Sequence, residues 1–346
     1  LVRSLHASYE FYILTTDTDA GETSPMKGVV ADSWVNFENN CAKVIYLSKK
    51  KLSIRNVLMI INEVKPHRIF INGIYSFYFS IVPVYFFSQI SIIHTRGMTY
   101  QGALSQKSIK KKWFIFFIKT FNIFGKATLC VSDDKESSTV EILFGKKYQI
   151  KKAQNFPSKF NTLPSLAKES SELKLISIAL ISPMKNHLLV LEALKKLMYK
   201  VQWMIYGPIK DKNYWDLCLN KIKELPSNIK VIYGGEIRPE RVVEALNEAH
   251  FFILPSLSEN FGHALYESMV AGKPIITSYN TPWNNLQENN AGYNSLLNVK
   301  DLNACIVNAC MLNQEEYNLK VLKVKKYAET AMNFKEIENQ YFDLFE

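Results

Sequence analysis

A chain of 346 residues with 47% apolar and 21% charged residues is long enough for two folded domains, and its composition excludes a disordered or low-complexity protein. The net charge of +10 lies wholly in the first half, because residues 1–155 hold 21 Lys+Arg against 11 Asp+Glu while residues 156–346 hold 21 of each. That asymmetry reads either as a first half that meets something anionic, such as a membrane face or a phosphorylated acceptor, or as a solvated basic surface with no partner; no recognised nucleic-acid module accompanies it, so nucleic acid is not an expected partner.

In chain order, apolar runs predict strands at Phe11–Thr15, Lys43–Leu47, Arg68–Asn72, Ile90–His94, Thr128–Ser132 and Tyr148–Ala153, with helices at Ile54–Val64, Ser76–Ser88, Ile109–Phe124 and Lys135–Leu143 between them. Ile69 to Ile93 has no charged residue, but Asn72, Gly73, Pro83 and Gln89 interrupt it, so it reads as strand, helix and strand rather than a membrane span. Residues 156–172 read as a linker, with prolines and many Ser and Lys. The second half restarts with strand Leu173–Leu180, helix His187–Tyr199, strand Val201–Tyr206, helix Tyr214–Glu224, strand Ile229–Tyr233, helix Pro239–Ala249, and strands Phe251–Leu254 and Pro274–Thr277. Residues 315–346 read as an amphipathic helical tail. Alternation of this kind predicts α/β architecture: two doubly wound parallel domains, 1–155 and 173–314, facing a cleft. Ligands in such sheets bind beyond the carboxyl ends of the strands.

The cysteines at 41, 130, 218, 305 and 310 form no CxxC pair, so neither a zinc site nor a redox couple is expected, and a reduced cytoplasmic chain is. The chemistry concentrates in Leu254 to Glu267, where Glu259 and Glu267 stand eight residues apart. An apolar strand arrives before Glu259, and a helix carrying Glu267 leaves after it. A helix start presents unpaired N–H groups and a positive dipole end, suited to phosphate. Two carboxylates beside it can accept hydrogen bonds from hydroxyls. The pattern fits a ligand with both groups, as in a nucleotide sugar.

Several segments in order resemble the family-4 retaining glycosyltransferases of GT-B fold, especially the bacterial capsule and O-antigen group. They are Ile181-Ser182-Pro183-Met184-Lys185-Asn186, Tyr206-Gly207-Pro208, the Glu259-x7-Glu267 spacing, Gly272-Lys273-Pro274-Ile275-Ile276, and Thr281-Pro282-Trp283 with Gly292. In the first half the resemblance rests on Arg96-Gly97-Met98 and Gly102-Ala103-Leu104-Ser105. It implies an acceptor-side first domain, a nucleotide-sugar-binding second domain, and a tail that crosses back to the first. It also implies residue roles. Glu259 contacts the donor sugar and Glu267 the ribose. Gly207 and the backbone of Phe261, Gly262 and His263 meet the sugar and diphosphate, and Lys185 neutralises the diphosphate. No metal or cofactor is required, and no protein nucleophile. His94 reads either as a contact of the transferred sugar or as a core or surface histidine, and Arg96 either as a ligand of donor or acceptor phosphate or as a structural residue.

Two departures from the family pattern stand out. Its arginine partner of the lysine falls on Leu180, and the first strand and glycine-rich loop of the first domain are not found, so that domain is expected to lack a strand. The expected donor is a UDP- or GDP-sugar, and the expected acceptor a glycan or a polyprenyl-diphosphate-linked glycan. The stretch Lys107–Lys119, rich in lysine and aromatics, reads either as a basic amphipathic helix on the anionic inner face of the cell membrane or as a domain helix with exposed lysines. A nucleotide-sugar epimerase of the same fold and a degenerate, non-catalytic paralogue are the competing readings.

Overall fold

A computed structural model describes residues 1–19, 24–99, 108–156 and 164–346. Gly102–Ser105 and Lys107 therefore lie outside the described residues. The chain divides into two compact units, Leu1–Phe156 with Phe334–Glu346, and Pro157–Asn333.

The first unit contains helix α1 (Val2–Leu5), strands β1 (Tyr12–Thr16), β2 (Trp34–Phe37) and β3 (Ala42–Leu47), helix α2 (Ile54–Val64), strand β4 (Ile69–Asn72), helix α3 (Val82–Phe87), strand β5 (Ser91–His94), helix α4 (Ser108–Thr120), strand β6 (Thr128–Val131), helix α5 (Asp134–Phe144) and strand β7 (Ile150–Lys152). Its strands form two sheets, ordered β1-β3-β2 and β4-β5-β6-β7. The second sheet is parallel throughout, and only β2 runs antiparallel to its neighbour. The helix predicted over Ser76–Ser88 is broken. Pro83 has no N–H to carry an α-helical register. The N–H groups of Ile81 and Val82 instead reach five residues back, to Ser76 and Phe77, as a π-helical turn over Phe77–Ile81 before α3 begins.

The second unit is the more regular. It comprises β8 (Glu172–Ile178), α6 (His187–Leu194), β9 (Lys200–Tyr206), α7 (Lys212–Lys223), β10 (Ile229–Tyr233), α8 (Pro239–Asn247), β11 (Phe251–Leu254), α9 (His263–Val270), β12 (Ile275–Ser278), β13 (Gly292–Ser295), α10 (Val299–Met311) and α11 (Gln314–Ala331). Its strands make one six-stranded parallel sheet in the order β10-β9-β8-β11-β12-β13. Strands buried on both faces need continuous apolar runs, and β11 is such a run, with Phe251, Phe252, Ile253 and Leu254 all buried. Trp203, Leu191, Phe251 and Ile306 share the core that fixes helices to this sheet. The order runs outward in one direction from β8 and in the other from β11. The chain reversal, and with it the ligand crevice of a doubly wound sheet, therefore falls between those two strands.

The tail is two helices. It breaks at Met332 and Asn333, and the second helix, α12 (Phe334–Phe345), belongs to the first unit, where Tyr341 packs against Phe70 at 6.0 Å between ring centroids. Among the described residues no helix is long and apolar enough to cross a membrane, and no group of three His, Cys, Asp or Glu could hold a metal ion. The five thiols are free.

Candidate active site

Strand order decides what meets in the second unit. β8 and β11 are neighbours, so the loops beyond their carboxyl ends lie side by side. The β8 loop passes through a 3-10 turn at Pro183–Lys185 and then through Asn186, which adopts a left-handed conformation (φ 60°) and lets α6 start abruptly. The β11 loop is tied to it by the Leu257 N–H, which donates to the Met184 carbonyl at 2.9 Å. Lys185 and Glu259 are thereby brought together across 74 residues of sequence. Their Nζ and Oε1 atoms are 2.5 Å apart, with side chains 20% and 11% exposed.

Glu259 Oε1 also accepts from the Ser256 hydroxyl at 2.7 Å. The Glu259 N–H donates to the Asn280 carbonyl at 3.3 Å. Oε1 is thus occupied, while Oε2 has no partner among the described residues. A carboxylate held this way can turn one oxygen to a ligand hydroxyl without losing its anchor. Ser256 and Asn280 carried no motif signal. Ser256 is marked in the sequence only as a polar residue two positions after the end of a buried strand.

The loop then turns into α9 through Gly262, whose φ of 74° is left-handed and strained for any residue with a Cβ. A Cβ there would also lie 2.9 Å from Leu265. No side chain caps α9, and no acidic residue stands in its first turn. Its positive dipole end is therefore not compensated locally. The Trp283 indole N–H donates to the Phe261 carbonyl at 2.6 Å, and the two rings meet edge to face at 5.2 Å, which clamps the turn. His263 is exposed at the helix start, against the Phe261 ring at 4.7 Å, and Glu267 lies one turn further along α9, half-buried.

Gly207 stands at the end of β9. Its N–H already donates to the Gly235 carbonyl at 2.8 Å, and a Cβ would fall 1.9 Å from the Ala179 carbonyl oxygen. The position requires glycine because two backbones touch there. Leu180 is 41% exposed beside it, an apolar side chain where the family pattern has arginine.

The first unit has its own loop beyond strand ends. Arg96 follows β5 with φ 51°, a left-handed conformation uncommon for a residue with a side chain. Glu136 holds the loop from beneath. Fully buried, it accepts from the Thr95 hydroxyl and the Gly97 N–H, both at 2.6 Å, and from the Ser132 N–H at 2.9 Å. The spacing of Asp133 and Glu136 suggests helix capping, and Asp133 does cap α5, but the Glu136 side chain turns into the loop instead. The Arg96 guanidinium donates to Asn72 Oδ1, at 3.2 Å from Nε and 2.8 Å from Nη2, and to Asn155 Oδ1. His94 is buried completely within β5, its ring 5.8 Å from Phe70, its Nδ1 accepting from the Arg96 N–H at 3.2 Å. Burial, and then the Arg96 charge, lower its pKa to about 3. His94 is a neutral core histidine in this arrangement, with no exposed atom to offer a sugar. His187 is likewise buried, stacked on Trp203 at 6.0 Å, and lowered to about 4 by burial and then by Lys185.

A parallel sheet of this order, with a lysine, a carboxylate and a helix start at its switch point, is an open doubly wound α/β domain with its ligand crevice at that point. Residues 158–337 match the family described as Glycosyl transferases group 1. The chain belongs to that family. It is 31% identical over 183 residues to alpha-monoglucosyldiacylglycerol synthase of Streptococcus pneumoniae, covering 51% of this chain and 40% of that one. It is 26% identical over 170 residues to the GDP-Man:Man(3)GlcNAc(2)-PP-Dol alpha-1,2-mannosyltransferase of Caenorhabditis elegans, covering 46% and 34%. The match thus spans less than half the length of either curated relative. Among solved structures, sucrose-phosphate synthase from Thermosynechococcus elongatus superposes with a TM-score of 0.69 at 14% identity, covering 98% of this chain and 89% of that one. WaaG, a glycosyltransferase involved in lipopolysaccharide biosynthesis, superposes at 0.63 and 14%, covering 99% and 94%. The fold is GT-B.

Proposed function

We propose that this chain is a family-4-type retaining hexosyltransferase that moves a sugar from a UDP- or GDP-linked donor to a growing bacterial surface glycan (capsule, O-antigen or exopolysaccharide) carried as a free or polyprenyl-diphosphate-linked acceptor. The observation that carries the reading is the convergence of Lys185 and Glu259 at the switch point of the sheet, beside the uncapped start of α9.

The leaving group is a nucleoside diphosphate whose charge grows as the bond from C1 to phosphate oxygen breaks. Lys185 and the α9 dipole stabilise that charge without a metal, and stabilisation that strengthens toward the transition state is what lowers the barrier. Lys185 reaches the diphosphate by exchanging its Glu259 partner for phosphate oxygen. Glu259, released, accepts a hydroxyl of the donor sugar, and Glu267 accepts the ribose hydroxyls. The acceptor oxygen bonds to C1 on the face the phosphate leaves, and its proton passes to the departing phosphate oxygen. Configuration is retained and no protein nucleophile is used. Arg96, positively charged and held by amides, binds a phosphate of donor or acceptor. Separately, the exposed Leu180 in place of the family arginine favours a second reading, a degenerate paralogue that binds no donor.

Calorimetric titration with UDP- and GDP-sugars, paired with an assay of nucleotide release with and without glycan acceptor, decides between them. Acceptor-dependent nucleotide release with an α-linked product from an α-linked donor is the expected result. Release with inversion would reject the retaining chemistry, and absence of binding to every donor would reject catalysis in favour of the paralogue.

A further inference from the structure

Helix α4 carries two apolar stripes. One faces the core, where Ile118 is buried and Phe114 and Ile115 pack beside it. The other faces away from it. Trp113, Phe116 and Phe117, with Phe121 just past the helix end, are 60%, 55%, 48% and 64% exposed. Their rings form a continuous band: Trp113 meets Phe116 at 5.8 Å, Phe116 meets Phe117 at 6.1 Å, and Phe117 stacks on Phe121 at 5.7 Å. A helix seated on a domain core normally turns polar side chains outward. The lysine-lined outer face that a plain domain helix would present is here an aromatic one. Roughly half of the about 150–250 Å² that each such ring can bury is left unused by the fold. On α3, Tyr85 and Phe86 are also exposed, and Val84 of that helix shares a core with Ile118.

Charge identifies the occupant. From Val64 to Ser132 the sequence holds nine Lys or Arg and not one Asp or Glu. Four of those lysines, at 110, 111, 112 and 119, lie on α4 itself. A helix bearing four lysines and no acidic residue suits a surface of extended negative charge. It opposes pairing with a second copy, which would set two cationic faces against each other. Aromatic rings among lysines are the composition of helices that lie in the headgroup layer, with the lysine stems running along the apolar boundary.

We infer that this face of the first unit docks on an anionic lipid bilayer, with the Trp113–Phe121 band seated at headgroup depth and the surrounding lysines bound to anionic headgroups. The inference rests on the first unit alone and stands whether or not the proposed transfer reaction is correct.

The test is co-sedimentation of the full chain with vesicles of phosphatidylcholine alone and of phosphatidylcholine with phosphatidylglycerol, at low and high salt. Binding to the anionic vesicles, weakened by salt and by at least tenfold in the Phe116→Ser/Phe117→Ser variant, is expected. A blue shift of fluorescence on binding, lost in Trp113→Phe, is expected as well. All these positions are on the surface, so unchanged thermal midpoints are expected and separate lost docking from lost folding. Equal binding to neutral vesicles, absence of vesicle binding, or salt-sensitive binding that ignores the aromatic substitutions would each overturn the proposal. Self-association that the same substitutions abolish, with no vesicle binding, would overturn it in favour of a second copy.

Discussion

Two cations stand just beyond parallel strands in this molecule, and the protein treats them differently. Lys185, after β8, is paired with a carboxylate at 2.5 Å. Arg96, after β5, donates its guanidinium hydrogen bonds to the amides of Asn72 and Asn155. An amide oxygen orients a guanidinium without cancelling its charge, so Arg96 keeps a full positive field for an incoming anion. Lys185 is paired with Glu259 in the structure. Under the proposed reaction the first site would have to exchange partners where the second would not. That exchange would couple two roles, since freeing the lysine for phosphate would free the carboxylate for a sugar hydroxyl in the same movement.

The largest effect expected follows from that coupling. In the proposed reaction Lys185→Ala would remove the charge assigned to the leaving diphosphate, and transfer measured as kcat/KM is expected to fall about a hundred- to a thousandfold. Glu259→Gln is expected to fall by a similar factor. The double variant is expected to lose far less than the product of the two, because residues that act as a unit are not additive. Steady-state kinetics of the four proteins complete the cycle. Strict additivity would show that the ion pair is incidental and would erase the distinction from Arg96.

Arg96→Ala is expected to cost less, roughly ten- to a hundredfold, as the loss of charge-assisted hydrogen bonds to one phosphate. The cost is expected in affinity for a phosphate-bearing ligand, read by calorimetry. Because no carboxylate is released at this site, combining Arg96→Ala with Glu259→Gln is expected to be additive. An Arg96 variant with wild-type affinity for every phosphate-bearing ligand would reduce the residue to a brace between Asn72 and Asn155.

The two sites were unequally legible in the sequence. The sheet of the second unit reads directly because β11 and β12 are buried along their whole length and β9 alternates buried and partly exposed positions, both of which leave apolar patterns in the sequence. The same rule hides β13. Its residues Gly292 to Ser295 are buried yet mostly polar, because the Asn294 amide accepts from the Leu286 N–H and donates to the Trp283 carbonyl rather than packing as an apolar side chain. Strand β2, partly exposed at the edge of its small sheet, gave too weak an alternation to mark it. Motif spacing located Lys185 and Glu259 separately, but their contact depends on β8 and β11 being neighbours, which no local pattern encodes. Glu136 shows the opposite failure. Its spacing from Asp133 suggests a helix cap, and only the tertiary structure turns it into the anchor of the Arg96 loop.

The smallest effect sharpens the comparison through pH. Each cation has a buried neutral histidine two residues away, His187 beyond Lys185 and His94 before Arg96. Burial, and after it the neighbouring cation, lowers these histidines to about 4 and about 3. In the unfolded chain both titrate near 6.5. Between 6.5 and the lowered values the unfolded state therefore binds more protons than the folded one. Stability is fully present above pH 6.5 and is lost as pH falls toward 4 and then 3. For His187 the loss approaches roughly 3 kcal/mol once the folded form also titrates. Urea midpoints at pH 7, 5.5 and 4.5 are expected to fall in that order, with imidazole NMR signals of both residues still neutral at pH 5.5. Lys185→Met is expected to move the His187 pKa only partway back toward 6.5, since burial is the larger cause, and Arg96→Ala to do the same for His94. A His187 that titrates near 6.5 in the intact protein would mean that the β8 loop is open to water. The Lys185–Glu259 pair would then be as solvated as the Arg96 guanidinium, and the contrast between the two sites would fail.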